Sequence, residues 1–210
     1  QKIIAEKLAK KKQFEQELFD YESKLRYTFK PGQLPPEGSH PLAWPVKDAY
    51  ITQFFGATPS STHLYASGEH SGVDFRAAVG TPILATASGV VAGTGDTDTT
   101  CPRASFGKWV LIKHDNGLAV VYAHLSQINV KKGTKVTKGQ AVGLSGNTGH
   151  STAPHLHISV FPADAVDVEE RPSKACPGKV FTMPIAATEA YLNPIKYLPA
   201  YTPDMVKPGA

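Results

Sequence analysis

Long apolar runs, strong net charge and cysteine are what this sequence has least of. No stretch of about 18 apolar residues occurs, so no membrane-spanning helix is expected. No signal peptide is visible, and the helical pattern is already under way at Gln1, as in a processed or trimmed chain. The formal net charge is +4, unevenly spread: residues 1–30 hold eight Lys/Arg against five Asp/Glu, and residues 31–210 hold fourteen against thirteen. A nucleic-acid-binding domain carries a basic patch, and this nearly neutral body has no candidate for one, so nucleic acid is excluded as a partner. The basic excess sits on the N-terminal segment and reads as a solvated helix face. The two cysteines, Cys101 and Cys176, each precede a proline in a loop-like segment. In an exported protein two loop cysteines such as these would pair. No H-E-x-x-H motif occurs, so a glutamate base of the common metalloprotease kind is not indicated.

What is abundant is glycine (18) and proline (17), the mark of a turn-rich β protein. A length of 210 residues suffices for one well-buried domain with an appendage. Residues 1–28 are rich in Lys, Glu, Gln and Leu and read as helix. Ile4 and Leu8, then Phe14, Leu18, Tyr21 and Leu25, form an apolar stripe at coiled-coil-like spacing, so the segment reads as an amphipathic or coiled-coil helix. The expected organisation is a helix over 1–30, a proline-rich linker over 31–43, a β domain over 44–161 and a C-terminal extension packing on it over 162–210. Within the β domain, Asp115-Asn116-Gly117 joins two strand-like runs as a tight hairpin. Residues Val136 to Gly146 read as another strand pair around Lys138-Gly139, and residues 93–106 as a polar loop, a cleft wall or a surface excursion.

Histidine carries the chemical signal. In the strand-like His155-Leu156-His157, residues two apart face one side with Cα atoms about 6.6 Å apart. Leu156, Ile158 and Val160 then face the core. His70 and Asp74 would lie about 13 Å apart in an extended strand, too far to share one ion. A bend at Gly72 would bring them together, because glycine tolerates backbone angles that other residues resist. Tyr122-Ala123-His124-Leu125 ends a third strand-like run with an imidazole. Imidazole and carboxylate are ordinary zinc ligands, and three of them leave a position for water. Each motif alone is weak: exposed strand histidines or a surface His and a separate Asp are the bland alternatives.

Together, Gly68-x-His70-x-Gly72-x-Asp74, Tyr122-Ala123-His124-Leu125 and Gly146-Asn147-Thr148-Gly149-His150-Ser151-Thr152-Ala153-Pro154-His155-Leu156-His157 stand in an order and spacing that closely resembles the lysostaphin-type zinc endopeptidases. Those enzymes cut peptide bridges in bacterial peptidoglycan. Lys132-Gly133-x-x-Val136-x-x-Gly139-Gln140-x-x-Gly143 adds the glycine-turn ladder usual in that family. The resemblance implies a mainly β fold, an antiparallel two-sheet groove or sandwich. It implies one zinc ion per chain, held by His70, Asp74 and His157, with His124 and His155 as catalytic histidines and peptidoglycan peptides as substrate. Tyr65, Asn147 and Thr152 are weaker candidates for holding substrate; an ordinary loop tyrosine and turn-forming roles weigh equally. His150 is expected near the cleft, and His40 and His114 in solvent.

A non-catalytic cell-wall binding or amidase-activating module with a coiled-coil arm is the competing reading, and it makes the helix a site for an envelope partner or self-association. Competent residues at all five positions favour catalysis over it. The glycine ladder also occurs in biotin- and lipoyl-bearing domains, but their lysine motif is not evident here. A structural zinc site would close with four protein ligands instead of leaving spare histidines.

Overall fold

The computed structural model describes the backbone of residues 2–59, 61 and 65–210, with side chains from residue 9 onward. The side chains of Ile4 and Leu8, at the head of the apolar stripe, and His63 lie outside the described residues. The fold is mainly antiparallel β with one N-terminal helix. The helix, α1 (Lys2–Glu22), is followed by β1 (Ile51–Gln53), β2 (Val73–Arg76), β3 (Pro82–Leu84), β4 (Gly89–Asp96), β5 (Lys108–His114), β6 (Leu118–Ile128), β7 (Lys135–Val136), β8 (Ala141–Ser145), β9 (His155–Pro162), β10 (Val166–Pro172) and β11 (Val180–Ala186). Strands run in the order β1-β2-β9-β6-β5-β4-β7, with β8 bridging β6 and β3, and β10–β11 forms a separate two-stranded sheet.

The alternation of β6 explains why the main sheet is covered on both faces. Leu118, Val120 and Tyr122 enter one core with Phe75, Ile83, Leu156, Ile158 and Val160. Ala119, Val121 and Ala123 enter a second core on the other face, with Trp109, Phe161, Met183 and Ile185. The β10–β11 hairpin and α1 close that second core. Phe14 and Leu18 are buried there, and Tyr21 and Leu25 pack against it. The helical stripe thus meets its own domain.

Three expectations are corrected in detail. The helix ends at Glu22, not near residue 28. Beyond it the domain takes over the backbone donors: Tyr27 N–H bonds the Glu189 carboxylate at 2.9 Å and the Tyr27 hydroxyl bonds Asp164 at 2.6 Å. The run Val136 to Gly146 yields two strands that do not pair with each other; β7 pairs with β4, and β8 with β3 and β6. His114 is buried, not solvated. It faces Thr86 Oγ1 at 3.1 Å, and burial lowers its pKa to about 4, which leaves it neutral. The C-terminal extension, weakly periodic in sequence, contains the β10–β11 hairpin.

Helix α1 also holds loops by its carboxylates. Glu15 accepts from Ser105 N–H at 2.6 Å, Glu17 from Lys174 and Ala175 N–H at 3.0 Å, and Glu22 from Ala186 N–H at 3.3 Å and the Tyr191 hydroxyl at 3.0 Å. Glu22 is buried, and desolvation raises its pKa from 4.5 to about 8. No described helix is long and apolar enough to cross a membrane.

Candidate metal centre

Strand pairing brings the distant motifs together. In the β2–β9 register Asp74 lies opposite His157, and in the β6–β9 register Ala123 lies opposite the same histidine. β9 is therefore the central rail, with the His70–Asp74 segment on one side and the His124 segment on the other. His70 N–H and C=O exchange bonds with Gly56, which fixes the residue just before β2 begins. Gly72 does not supply the expected unusual backbone angle. Its φ is not among the positive ones, and its need is for space. A Cβ there would stand 2.1 Å from the Ile158 carbonyl oxygen and 2.6–2.7 Å from the His157 ring.

The result is a compact triangle. His70 Nε2 lies 3.2 Å from Asp74 Oδ1, His157 Nδ1 lies 2.9 Å from the same oxygen, and the two nitrogens are 3.0 Å apart. All three residues are buried. Their outer hydrogen bonds set which nitrogen is free. His70 Nδ1–H donates to the Phe54 carbonyl at 2.9 Å, so its Nε2 carries the lone pair. His157 Nε2 meets Ser159 Oγ at 2.8 Å, and with the hydroxyl accepting there, Nδ1 is free as well. Three lone-pair atoms this close and this buried repel one another unless a proton or a metal cation sits among them. Ligand bonds of about 2.0–2.2 Å around a tetrahedral ion place neighbouring donors about 3.4 Å apart. The donor set therefore fits a divalent metal ion. Burial opposes ionisation of Asp74, but His70 and His157 outweigh it and hold the carboxyl well below its usual range. His157 is shifted down by burial. At His70 burial also lowers the pKa, but Asp74 overrides it and the net shift is upward.

Beside the triangle stand two further imidazoles. The His124 and His155 rings are 4.6 Å apart between centroids, and His155 Nε2 is 3.6 Å from Asp74 Oδ2. His124 Nδ1–H donates to the Thr148 carbonyl at 2.8 Å, and His155 Nδ1–H to the Ala153 carbonyl at 2.8 Å. With Nδ1 donating, Nε2 is the lone-pair nitrogen in the neutral form of either ring. Burial, with the neighbouring His155 and His157, pushes His124 well below its usual pKa, so it stays neutral. Its backbone is unusual. The β5–β6 register slips by one residue between Val110↔Tyr122 and Lys108↔Leu125, and His124 in that bulge has φ +62°. A bulge re-aims a side chain, and positive φ at a non-glycine residue costs on the order of 1–3 kcal/mol. Phe106 C=O accepts the His124 N–H at 2.8 Å and helps to hold it there.

The centre opens into a cleft of about 550 Å³. Tyr65 stacks on His70 with ring centroids 5.3 Å apart and lines the cleft, as does His150. Asn147 and Thr152 do not line it, and Thr152 is exposed at the surface. The segment expected as a polar loop over 93–106 leaves the sheet only after Asp96, where β4 ends, and its far end is a cleft wall: Ser105 and Phe106 line it. Cys101 and Cys176 form a disulfide that ties this loop to the connection between β10 and β11. Helix α1 adds a further wall through Glu15, Leu18, Phe19 and Glu22, with Glu15 bonded to Ser105 of the loop wall. Its only forecast in the sequence was the apolar stripe, which says that a face is buried but not against what.

A buried His/Asp/His donor set beside two further imidazoles, in a cleft on an antiparallel sheet, has the make-up of a metal-dependent hydrolase. Residues 68–168 match the model of Peptidase family M23, and the chain carries a peptidase M23 domain. The catalytic domain of the antimicrobial peptidase lysostaphin from Staphylococcus simulans is 28% identical with a TM-score of 0.52, over 70% of this chain and 90% of that one. A candidate M23 peptidase from Pseudomonas aeruginosa is 29% identical with a TM-score of 0.53, over 91% of this chain and 63% of that one. The peptidoglycan DD-endopeptidase ShyA of Vibrio cholerae is 47% identical over 92 residues, 44% of this chain and 20% of that protein. The similarity thus spans about a fifth of the length of that curated relative.

Proposed function

We propose that this chain is a zinc-dependent endopeptidase that hydrolyses peptide bridges or cross-links of bacterial peptidoglycan. The observation that carries the reading is the buried triangle of His70 Nε2, Asp74 Oδ1 and His157 Nδ1, with donor atoms 2.9–3.2 Å apart, beside the free Nε2 atoms of His124 and His155. His70, Asp74 and His157 hold one ion per chain. When bound, zinc supplies Lewis acidity toward a carbonyl oxygen and acidifies water toward neutrality. The two imidazoles do the proton work. One Nε2 takes the proton as water oxygen bonds the scissile carbonyl carbon, and that proton passes to the amine as the C–N bond breaks. Carbonyls on the Nδ1 side of both rings keep them in the tautomer this requires. Tyr65, stacked on His70 and open to the cleft, is suited to hold substrate backbone.

The peptidase unit is assigned to residues 44–161, with the N-terminal segment of 1–30, whose helix ends at Glu22, the linker of 31–43 and the extension of 162–210 as its accessory parts. The Cys101–Cys176 disulfide supports an exported protein of the periplasm, envelope or extracellular space. An envelope protein or a second copy is the expected partner of the N-terminal helix.

The test is digestion of purified peptidoglycan by zinc-loaded protein. New free amino groups are expected, together with fragments whose masses identify the bond cut. Chelation should abolish release and added zinc should restore it. Protein that holds one zinc per chain and releases no amino groups from any peptidoglycan type would sink the reading.

A further inference from the structure

Arg103 has no part in the metal triangle, yet it is bonded to the segment that orients both spare imidazoles. That segment is the turn 147–153. Its Thr148 carbonyl accepts from His124 Nδ1–H, and its Ala153 carbonyl accepts from His155 Nδ1–H. Arg103 donates Nη1–H to the Asn147 carbonyl at 2.7 Å and Nη2–H to the Ser151 carbonyl at 2.5 Å, one bond on either side of Thr148.

The arginine is itself held in a demanding conformation. Its φ is +65°, and Ser105 two residues on has φ +50°. Asp98 secures both partners at once: Oδ1 accepts from Arg103 N–H at 2.6 Å and Oδ2 from Gly149 N–H at 3.0 Å. Ser105 C=O accepts from His150 N–H at 2.7 Å. Gly107 and Gly149 pack so closely that a Cβ on Gly107 would stand 2.4 Å from Gly149 N. Non-glycine residues persist at positive φ only where their surroundings over-determine them, and Arg103, Ser105 and His124 are gathered round one turn.

We propose that Arg103 is a positioning residue. Its guanidinium spans the turn, keeps the Thr148 carbonyl aimed at His124, and so holds the His124 Nε2 toward the cleft. A planar fork can bond two carbonyls in fixed directions, which an ammonium cannot. The kinetic part of this inference rests on the hydrolase reading above, whereas the clamp itself does not.

The test uses the full chain loaded with zinc, comparing wild type with Arg103→Ala and Arg103→Lys. Metal content is expected to remain at one ion per chain in both. In protein with ¹⁵N-labelled histidine, the His124 Nδ1–H resonance, assigned by its loss in His124→Ala, should be protected in wild type and lost or exchange-broadened in Arg103→Ala. Against peptidoglycan, kcat of Arg103→Ala should fall by about 10–100-fold with KM within about threefold, and Arg103→Lys should lie between the two. Added guanidinium at low millimolar concentration should restore part of the loss in Arg103→Ala and none in His124→Ala. An Arg103→Ala protein with an unchanged His124 resonance overturns the proposal. So does a kcat loss shared fully by Arg103→Lys and insensitive to guanidinium, because that pattern reports general destabilisation. If Arg103→Ala does not fold, Asp98→Asn replaces it, with the same resonance as readout. Wild type that shows the protected resonance but cleaves nothing refutes the hydrolase reading and leaves the clamp standing.

Discussion

The two halves of the site are built by different means. The metal triangle sits on paired strands, where the Asp74↔His157 register decides that the donors meet. The imidazole pair leans on loops. His124 occupies a bulge at φ +62°, and both rings take their direction from carbonyls of the turn 147–153. Sheet register is cooperative: slipping it by one residue would turn every core side chain of β9 to the opposite face of the sheet. Loop carbonyls have no such guarantee, and here they are braced by Asp98, Arg103, the Gly107–Gly149 contact and the disulfide. The meeting of the three donor atoms is thus tied to the fold itself, while orientation of the two further rings is tied to the cleft wall.

The sharpest way to break this comparison is to remove a ligand. His157→Ala or Asp74→Ala should lose bound metal, measured by elemental analysis, and drop cleavage to background. Loss of the several kcal/mol that a metal ion contributes amounts to about 10³-fold or more. His124→Ala should separate the halves: metal content unchanged, kcat lower by about 10²–10⁴-fold. Full turnover in metal-replete His124→Ala would remove the proton role from that residue. Gly72→Ala probes the strand half from within. The added methyl must displace the Ile158 carbonyl or the His157 ring. A loss of about 1–3 kcal/mol in denaturant unfolding is expected, together with weaker metal binding.

The smallest effect at neutral pH belongs to the helix wall. Glu22 has its pKa raised by burial from 4.5 to about 8, so the folded state holds a proton that the unfolded chain releases. Stability should therefore fall as pH rises from about 4.5 to 8 and level off above. Glu22→Gln removes that dependence. The variant should gain on wild type by about 2–3 kcal/mol between pH 6 and pH 9 in chemical denaturation. Parallel curves for the two proteins would show that Glu22 is not held neutral.

Local signals made only part of the site legible; the ligand set as a whole was implied by the resemblance of its motifs to a known family. A two-residue spacing in a strand places His155 and His157 on one side, and Leu156, Ile158 and Val160 enter the core as alternation requires. The His70–Asp74 pair was legible as a pair but misread in cause, since Gly72 serves close approach and not a special angle. His114 was misplaced because a histidine at a hairpin end carries no mark of what covers it, and Tyr122 and Thr86 cover it. Asn147 and Thr152 stand in the motif but outside the cleft lining, while Arg103 stands outside the motif and is bonded to it.

The sequence alone determined the β class, the N-terminal helix and the hairpin at Asp115-Asn116-Gly117, each from side-chain type and short-range periodicity, whereas His70, Asp74 and His157 were singled out as a set by the resemblance of their motifs to a known family. Only the tertiary structure decided that the helix walls the cleft, that the loop 97–107 clamps the turn 147–153, and that a bulge re-aims His124. Those contacts join residues far apart in the chain, 90 positions between Glu15 and Ser105 and 169 between Glu22 and Tyr191. No local pattern encodes a meeting at that distance; it exists only once both cores have closed and brought the surfaces together.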